Sequence, residues 1–318
     1  SSVSSQISSG VTEIFSTYFA FAALKSDGSV VTWGASGYGA DSSSVSSQLS
    51  SGVTEIFSSL SAFAALKSDG SVVTWGESTW GGDSSSVSSQ ISSGVTEIFS
   101  SDSAFAALKS DGSVVTWGHY SNGDSSSVSS QISSGVTKIS TSTSSFAALK
   151  SDGSVVTWGV SGYGGDSSSV SSQISSGVTE IFSTDRAFAA LKSDGSVVTW
   201  GDSGYGGDSS SVSSQISSGV TEIFSTDTAF AALKSDGSVV TWGDPSNGGD
   251  SSSISSALSS GVSEIFSSDR AFAALKSDGS VVTWGHSGYG GDSSSVTSSL
   301  SSGVQNVYSS SKAFAVID

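Results

Sequence analysis

The sequence predicts an all-β chain folded as a single closed β-propeller of 42-residue blades over residues 1–318, and three observations carry that prediction. First, the tryptophans of seven TWG triplets (Trp33, Trp75, Trp117, Trp158, Trp200, Trp242 and Trp284) are spaced by 42, 42, 41, 42, 42 and 42 residues. Second, every period holds short clusters of β-branched and aromatic residues separated by turn signals. Third, those clusters are apolar on both faces, as in Ala187-Phe188-Ala189-Ala190-Leu191, which suits a sheet packed between two neighbours.

The fifth period shows the elements in order. Strand A is expected at Val178 to Phe182, strand B at Ala187 to Leu191 and strand C at Val197 to Trp200. Ser193-Asp194-Gly195-Ser196 joins B to C, and its Asp-Gly pair predicts a type I′ hairpin turn. A weaker extended stretch, D, is expected around Val212 and Ile216. Its competitor is a short helix, with Val170 and Ile174 four apart, Asp166 as cap and Gly177 as terminator; the strand is preferred. Small residues let sheets approach closely, and the one large Trp per period fills the core. Recurrence in identical apolar settings favours that role over a ligand-stacking ladder.

The chain opens at SSVSSQIS and closes at AFAVID, giving seven full units and a truncated eighth, with no linker and no second domain. An open solenoid needs polar caps, and the divergent last unit is not strongly polar, so a ring is preferred. Eight A and eight B strands against seven C strands favour eight blades, with the Ser1–Ser8 stretch covering the edge of the incomplete one.

SGVTEIFS followed by AFAALKSDGSVVTWG resembles the repeat of the regulator-of-chromosome-condensation family over essentially the whole chain. In that repeat a strand, a small-residue loop, an A-L-x-x-D-G hairpin and a W-G strand end follow in this order. The unit is similar in style to that of secreted propeller-type β-lactamase inhibitors. The resemblance implies a propeller and favours seven blades. The family's His after the strand A loop is replaced here by Ala187 or Ser145, and its loop Gly by Ser16 and Ser58. Neither nuclear exchange activity nor the inhibitor's target carries over.

Composition narrows the function. The net charge of −17 disfavours nucleic acid and anionic membranes and reads first as a solubility coat. There is no Cys, hence no disulfide, thiolate metal site or cysteine nucleophile, and no 18-residue apolar run to insert in a membrane. The two histidines, His119 and His286, are expected far apart. The serines lack a nucleophile-elbow motif, the GYGGD segments lack the calcium nonapeptide register, and no phosphate-binding loop is present. The expectation is a non-enzymatic protein with no cofactor and no metal, located outside the cell or on its surface.

The near-identical units differ mainly in two segments. After strand A stand Tyr18-Phe19, Leu60, Asp102, Thr143, Asp185-Arg186, Asp227-Thr228, Asp269-Arg270 and Lys312. After TWG stand Ala35, Glu77, His119-Tyr120, Val160, Asp202, Asp244-Pro245 and His286. A nearby aromatic slot holds Tyr38, Trp80, Tyr163, Tyr205 and Tyr289, with Asn122 and Asn247 in the third and sixth units. In an up-and-down blade the A–B and C–D loops share one face, where binding residues on a rigid scaffold are usual. The expected ligand is a protein or glycan, with Tyr18, Phe19, Trp80, Tyr120, Arg186 and Arg270 as anchors. The competing expectation is a self-associating building block of a surface layer or filament.

Overall fold

The computed structural model describes residues 3–317 and is all-β. Among the described residues eight antiparallel sheets follow one another, one per repeat; seven have three strands and the last has two. The count of eight repeats agrees with the strand count read from the sequence. The chain falls into two compact units. The first is Ser1–Ser151 with Val156–Val160; the second is Asp152–Val155 with Ser161–Asp318.

In the fifth repeat strand A is Val178–Ser183, strand B Ala187–Lys192 and strand C Val197–Gly201, each one residue longer than expected. A pairs with B and B with C, in the register Phe188↔Trp200 and Ile181↔Ala190. Strand A carries a bulge at its second residue, between Val178 and Glu180. The Thr179 hydroxyl fills the gap by donating to the Leu191 carbonyl at 3.1 Å, as Thr12 does to Leu24 O in the first repeat and Ser263 to Leu275 O in the seventh.

The B–C turn corrects the expected type. A type I′ turn needs positive φ at both central residues, yet among the described residues only glycines have positive φ. Gly195 (φ 77°) donates its N–H to Lys192 O, and Lys192 N–H donates to Ser196 O. The loop is therefore three residues, Ser193-Asp194-Gly195, closed by a glycine bulge. Asp194 fixes it by accepting from Ser196 N at 2.9 Å and Ser196 Oγ at 2.6 Å.

Stretch D is neither the expected strand nor a regular helix. It is a short 3-10 turn, Ser210–Val212 in the fifth repeat, followed by further turns. The run of serines explains the choice. Asp208 accepts from Ser210 N, Ser213 Oγ donates to Ser210 O, and Ser217 Oγ to Ser214 O, so side chains satisfy the backbone locally. Residues 4–9 likewise form turns and no edge strand; Ser1 and Ser2 lie outside the described residues. Among the described residues no sheet contains strands of both the first and the last repeat.

Within each unit neighbouring sheets pack face to face. Between the first two sheets, Ala20, Ala22 and Leu24 of one meet Val53, Ile56, Phe63, Ala65, Val73 and Trp75 of the next. The same layer recurs between sheets two and three, three and four, five and six, and six and seven. Phe63 is fully buried and stacks on Trp75 at 5.2 Å. The tryptophans of these layers are core, as expected, and each Phe–Trp pair contributes several kcal/mol of burial, about 1.5–3 for the Phe alone.

Candidate functional site

Each sheet has two ends with different jobs. At one end lie the SDG hairpin and the SSG link. Ser26 N donates to Gly10 O within the first repeat, and Val53 N donates to Gly28 O across to the next. A Cβ on Gly28 would sit 2.7 Å from Gly52 N, so the two backbones touch. That end is uniform because packing requires glycine there.

The other end gathers both variable segments. Ala35 N donates to Phe19 O, His119 N to Ser103 O and Asp202 N to Arg186 O, so the loop after TWG is tied to the A–B loop of the same sheet. Thr17 Oγ1 adds a bond to Tyr38 O at 2.9 Å, as Thr184 Oγ1 does to Tyr205 O at 2.8 Å. Successive A–B loops are also laced together. In the first unit Tyr18 N donates to Leu60 O, Leu60 N to Asp102 O and Asp102 N to Thr143 O. In the second, Asp185 N donates to Asp227 O, Asp227 N to Asp269 O and Asp269 N to Ser311 O.

In the first unit this end presents aromatic rings to solvent. Tyr120 is 80% exposed, Tyr18 67% and Phe19 60%. Phe19 meets Tyr38 edge-on at 4.8 Å and Tyr18 at 6.2 Å. His119 lies against Tyr120 at 4.5 Å. Trp80 is half-buried, with its backbone carbonyl accepting from Ser59 Oγ.

In the second unit the same end is ionic. The Arg186 guanidinium lies between the rings of Tyr163 and Tyr205, 4.5 and 4.7 Å from their centroids. Arg270 stands over Tyr289 at 5.0 Å, and Lys312 approaches the same ring at 5.9 Å. Along the backbone ladder run Asp185, Asp227 and Asp269. Burial, then the charges of Asp185 and Asp269, push the Asp227 carboxyl up to about 6, with Arg270 opposing. Burial also raises Asp185, against the pull of Arg186 and Arg270.

Five of the expected binding residues have a local structural duty. Glu77 accepts from Trp80 N, His119 from Ser121 N, Asp202 from Gly204 N, Asp244 from Ser246 N and His286 from Gly288 N. Each caps the short helical turn that follows. The slot thus varies mainly among hydrogen-bond acceptors, a signal present in the sequence as E, H, D, D and H. The aromatic slot's exceptions are also structural. Buried Asn122 donates to Ser103 Oγ at 2.7 Å, and Asn247 donates to Thr228 Oγ1 and Asp244 Oδ2, both at 3.0 Å. His119 belongs to the first unit and His286 to the second, each with Nδ1 engaged in its own loop. Among the described residues no three His, Asp or Glu are grouped to hold a metal ion.

No family model matches the chain, and no curated protein matches it by sequence. Among solved structures the chain is similar to the ectodomain of the receptor kinase CR4 from Physcomitrella patens, at 16% identity over 88% of this chain and 74% of that one, with a TM-score of 0.43. It is similar to Prp20p from Saccharomyces cerevisiae at 13% identity, 74% and 72% coverage and a TM-score of 0.42. The computationally designed Ika8 protein matches at 16% identity, 87% and 84% coverage and a TM-score of 0.37.

Proposed function

We propose that this is a non-enzymatic binding protein that takes a protein partner on the loop end of its sheets. The observation that carries the reading is the exposure of Tyr18, Phe19 and Tyr120 on loops whose backbones are hydrogen-bonded to their neighbours. Large rings held rigidly in water lose little entropy on contact and bury much area, which is how contact hot spots are built. The net charge of −17 favours a basic partner segment.

Probing protein and glycan arrays with the 318-residue chain tests this. Basic protein spots are expected. Tyr18→Ala with Tyr120→Ala should weaken binding to a confirmed hit about tenfold or more, with thermal stability little changed. Binding confined to glycan spots replaces the protein with a sugar. Rings whose removal lowers stability by many degrees and leaves binding intact are packing residues, and the reading then fails.

A further inference from the structure

The chain has two arginines, and both end an A–B loop in the second unit beside the aromatic slot. Arg186 meets that slot in its own repeat and in the repeat before, and both hold tyrosine: its guanidinium carbon is 4.5 Å from the Tyr163 ring centroid and 4.7 Å from that of Tyr205. Arg270 has Tyr289 at 5.0 Å, but the slot of the repeat before it holds Asn247. Arg270 is exposed, whereas Arg186 is half-buried.

The backbones that carry these three side chains are pinned. Asp202 N donates to Arg186 O at 2.9 Å and Asp185 N to Asp227 O at 2.8 Å. The Thr184 hydroxyl donates to Tyr205 O at 2.8 Å, and the Trp200 indole to Gly164 O, next to Tyr163, at 3.0 Å. The guanidinium itself meets no acceptor. Among the described residues the Arg186 side chain makes no hydrogen bond and no ion pair. A guanidinium carries five N–H donors in a planar fork. Aromatic faces stabilise its charge but offer no oxygen to those donors.

We propose, on the reading that this loop end takes a protein partner, that Arg186 held by Tyr163 and Tyr205 is the point where a carboxylate of that partner docks. A carboxylate matches the fork with two parallel N–H···O bonds, and a side chain already held in place loses little entropy in making them. A lysine ammonium would supply the charge without the two-pronged match. The net charge of −17 repels a bare anion, so the carboxylate arrives within an otherwise basic segment. Arg270, with a tyrosine on one side only, is held less firmly and is the weaker site.

Anisotropy titrations of the 318-residue chain with labelled peptides at low salt read the site. With both termini blocked, KKGEGKK should bind about tenfold more tightly than KKGQGKK, the effect of a charge-assisted hydrogen-bonded pair. KKGKKG with a free C-terminus, set against its amide, tells whether a chain end serves as well as a side chain. Arg186→Ala should abolish the preference for Glu over Gln, and Arg186→Lys should lower it severalfold although the charge is kept; circular dichroism checks that each variant stays folded. Asn247→Tyr gives Arg270 its second ring, in a slot that takes Tyr163, Tyr205 and Tyr289 elsewhere, and should add a second bound Glu peptide per chain. Equal binding of the Glu and Gln peptides, or none of either, overturns the proposal. So does a preference that survives Arg186→Ala or is undiminished in Arg186→Lys. If protein spots on the array still bind the chain in those cases, the carboxylate assignment falls and the partner reading stands. A Glu preference lost in Arg186→Ala while no protein spot binds establishes the carboxylate site and ends the partner reading.

Discussion

Trp158 shows what a single residue does in this repeat. In five other repeats the indole N–H donates to a glycine carbonyl of the preceding repeat, as Trp75 does to Gly39 at 2.9 Å and Trp117 to Gly81 at 3.1 Å. Trp158 Nε1 has no such acceptor and is the buried side-chain nitrogen left without a bond among the described residues. The cause is one missing residue: HYSNGD (119–124) is shorter than ESTWGGD (77–83), which is why Trp117 and Trp158 are 41 apart. The αL glycine is lost, and the loop becomes one α-helical turn ending at Gly123. Inserting Gly between Asn122 and Gly123 should restore the acceptor. An unpaired buried donor costs about 1–3 kcal/mol, so a gain of about 1 kcal/mol is expected in denaturant unfolding. No gain, with Trp158 fluorescence unaltered, refutes the assignment. The irregular spacing was legible in the sequence; its consequence was not, because the acceptor belongs to a different repeat.

At the scale of elements, strands A, B and C were legible because β-branched and aromatic runs bounded by Gly-containing turns admit little else. Stretch D was not, since its Val and Ile spacing suits a strand or a helix and its serines choose neither. The loop end was legible as a place of variation. The capping duty of Glu77, Asp202 and Asp244 was hidden, because a capped turn is recognised only once the turn is known to exist. Those turns end in glycines that also seat the next repeat. Gly206 has φ 92°, and a Cβ there would lie 2.6 Å from Cδ2 of fully buried Phe230. Gly206→Ala should therefore cost roughly 2–4 kcal/mol through backbone strain and overpacking. Gly204→Ala, two residues away, would meet only Asp202 Oδ1 at 3.4 Å and should change stability by less than about 0.5 kcal/mol. Equal effects of the two substitutions in thermal melts would mean the Gly–Phe contact does not join the repeats.

For the whole molecule, two sets of carboxylates set opposite limits on stability with pH. The exposed aspartates of the hairpins and post-TWG loops, such as Asp27, Asp111 and Asp208, are held below 3.8 by hydrogen bonds from the serine two residues on. Their folded form binds fewer protons than the unfolded chain, so their contribution is present above 3.8 and lost as pH falls through the lowered values. Asp227 works the other way. Its folded carboxyl holds a proton up to about 6, so stability is greatest below 3.8 and lost as pH rises from there to about 6. Glu55 and Glu222 add to that loss, raised by burial and then by the glutamates of the flanking repeats. The melting temperature should thus peak on the acid side of neutrality and decline towards pH 7. Asp227→Asn should flatten the decline. Salt should reduce it only in part, because screening weakens the repulsion from Asp185 and Asp269 but leaves the larger cost of burial in place. A melting temperature that climbs steadily from pH 3 to pH 7, unaltered by Asp227→Asn, would show that the three aspartates do not share one end of the second unit's sheets.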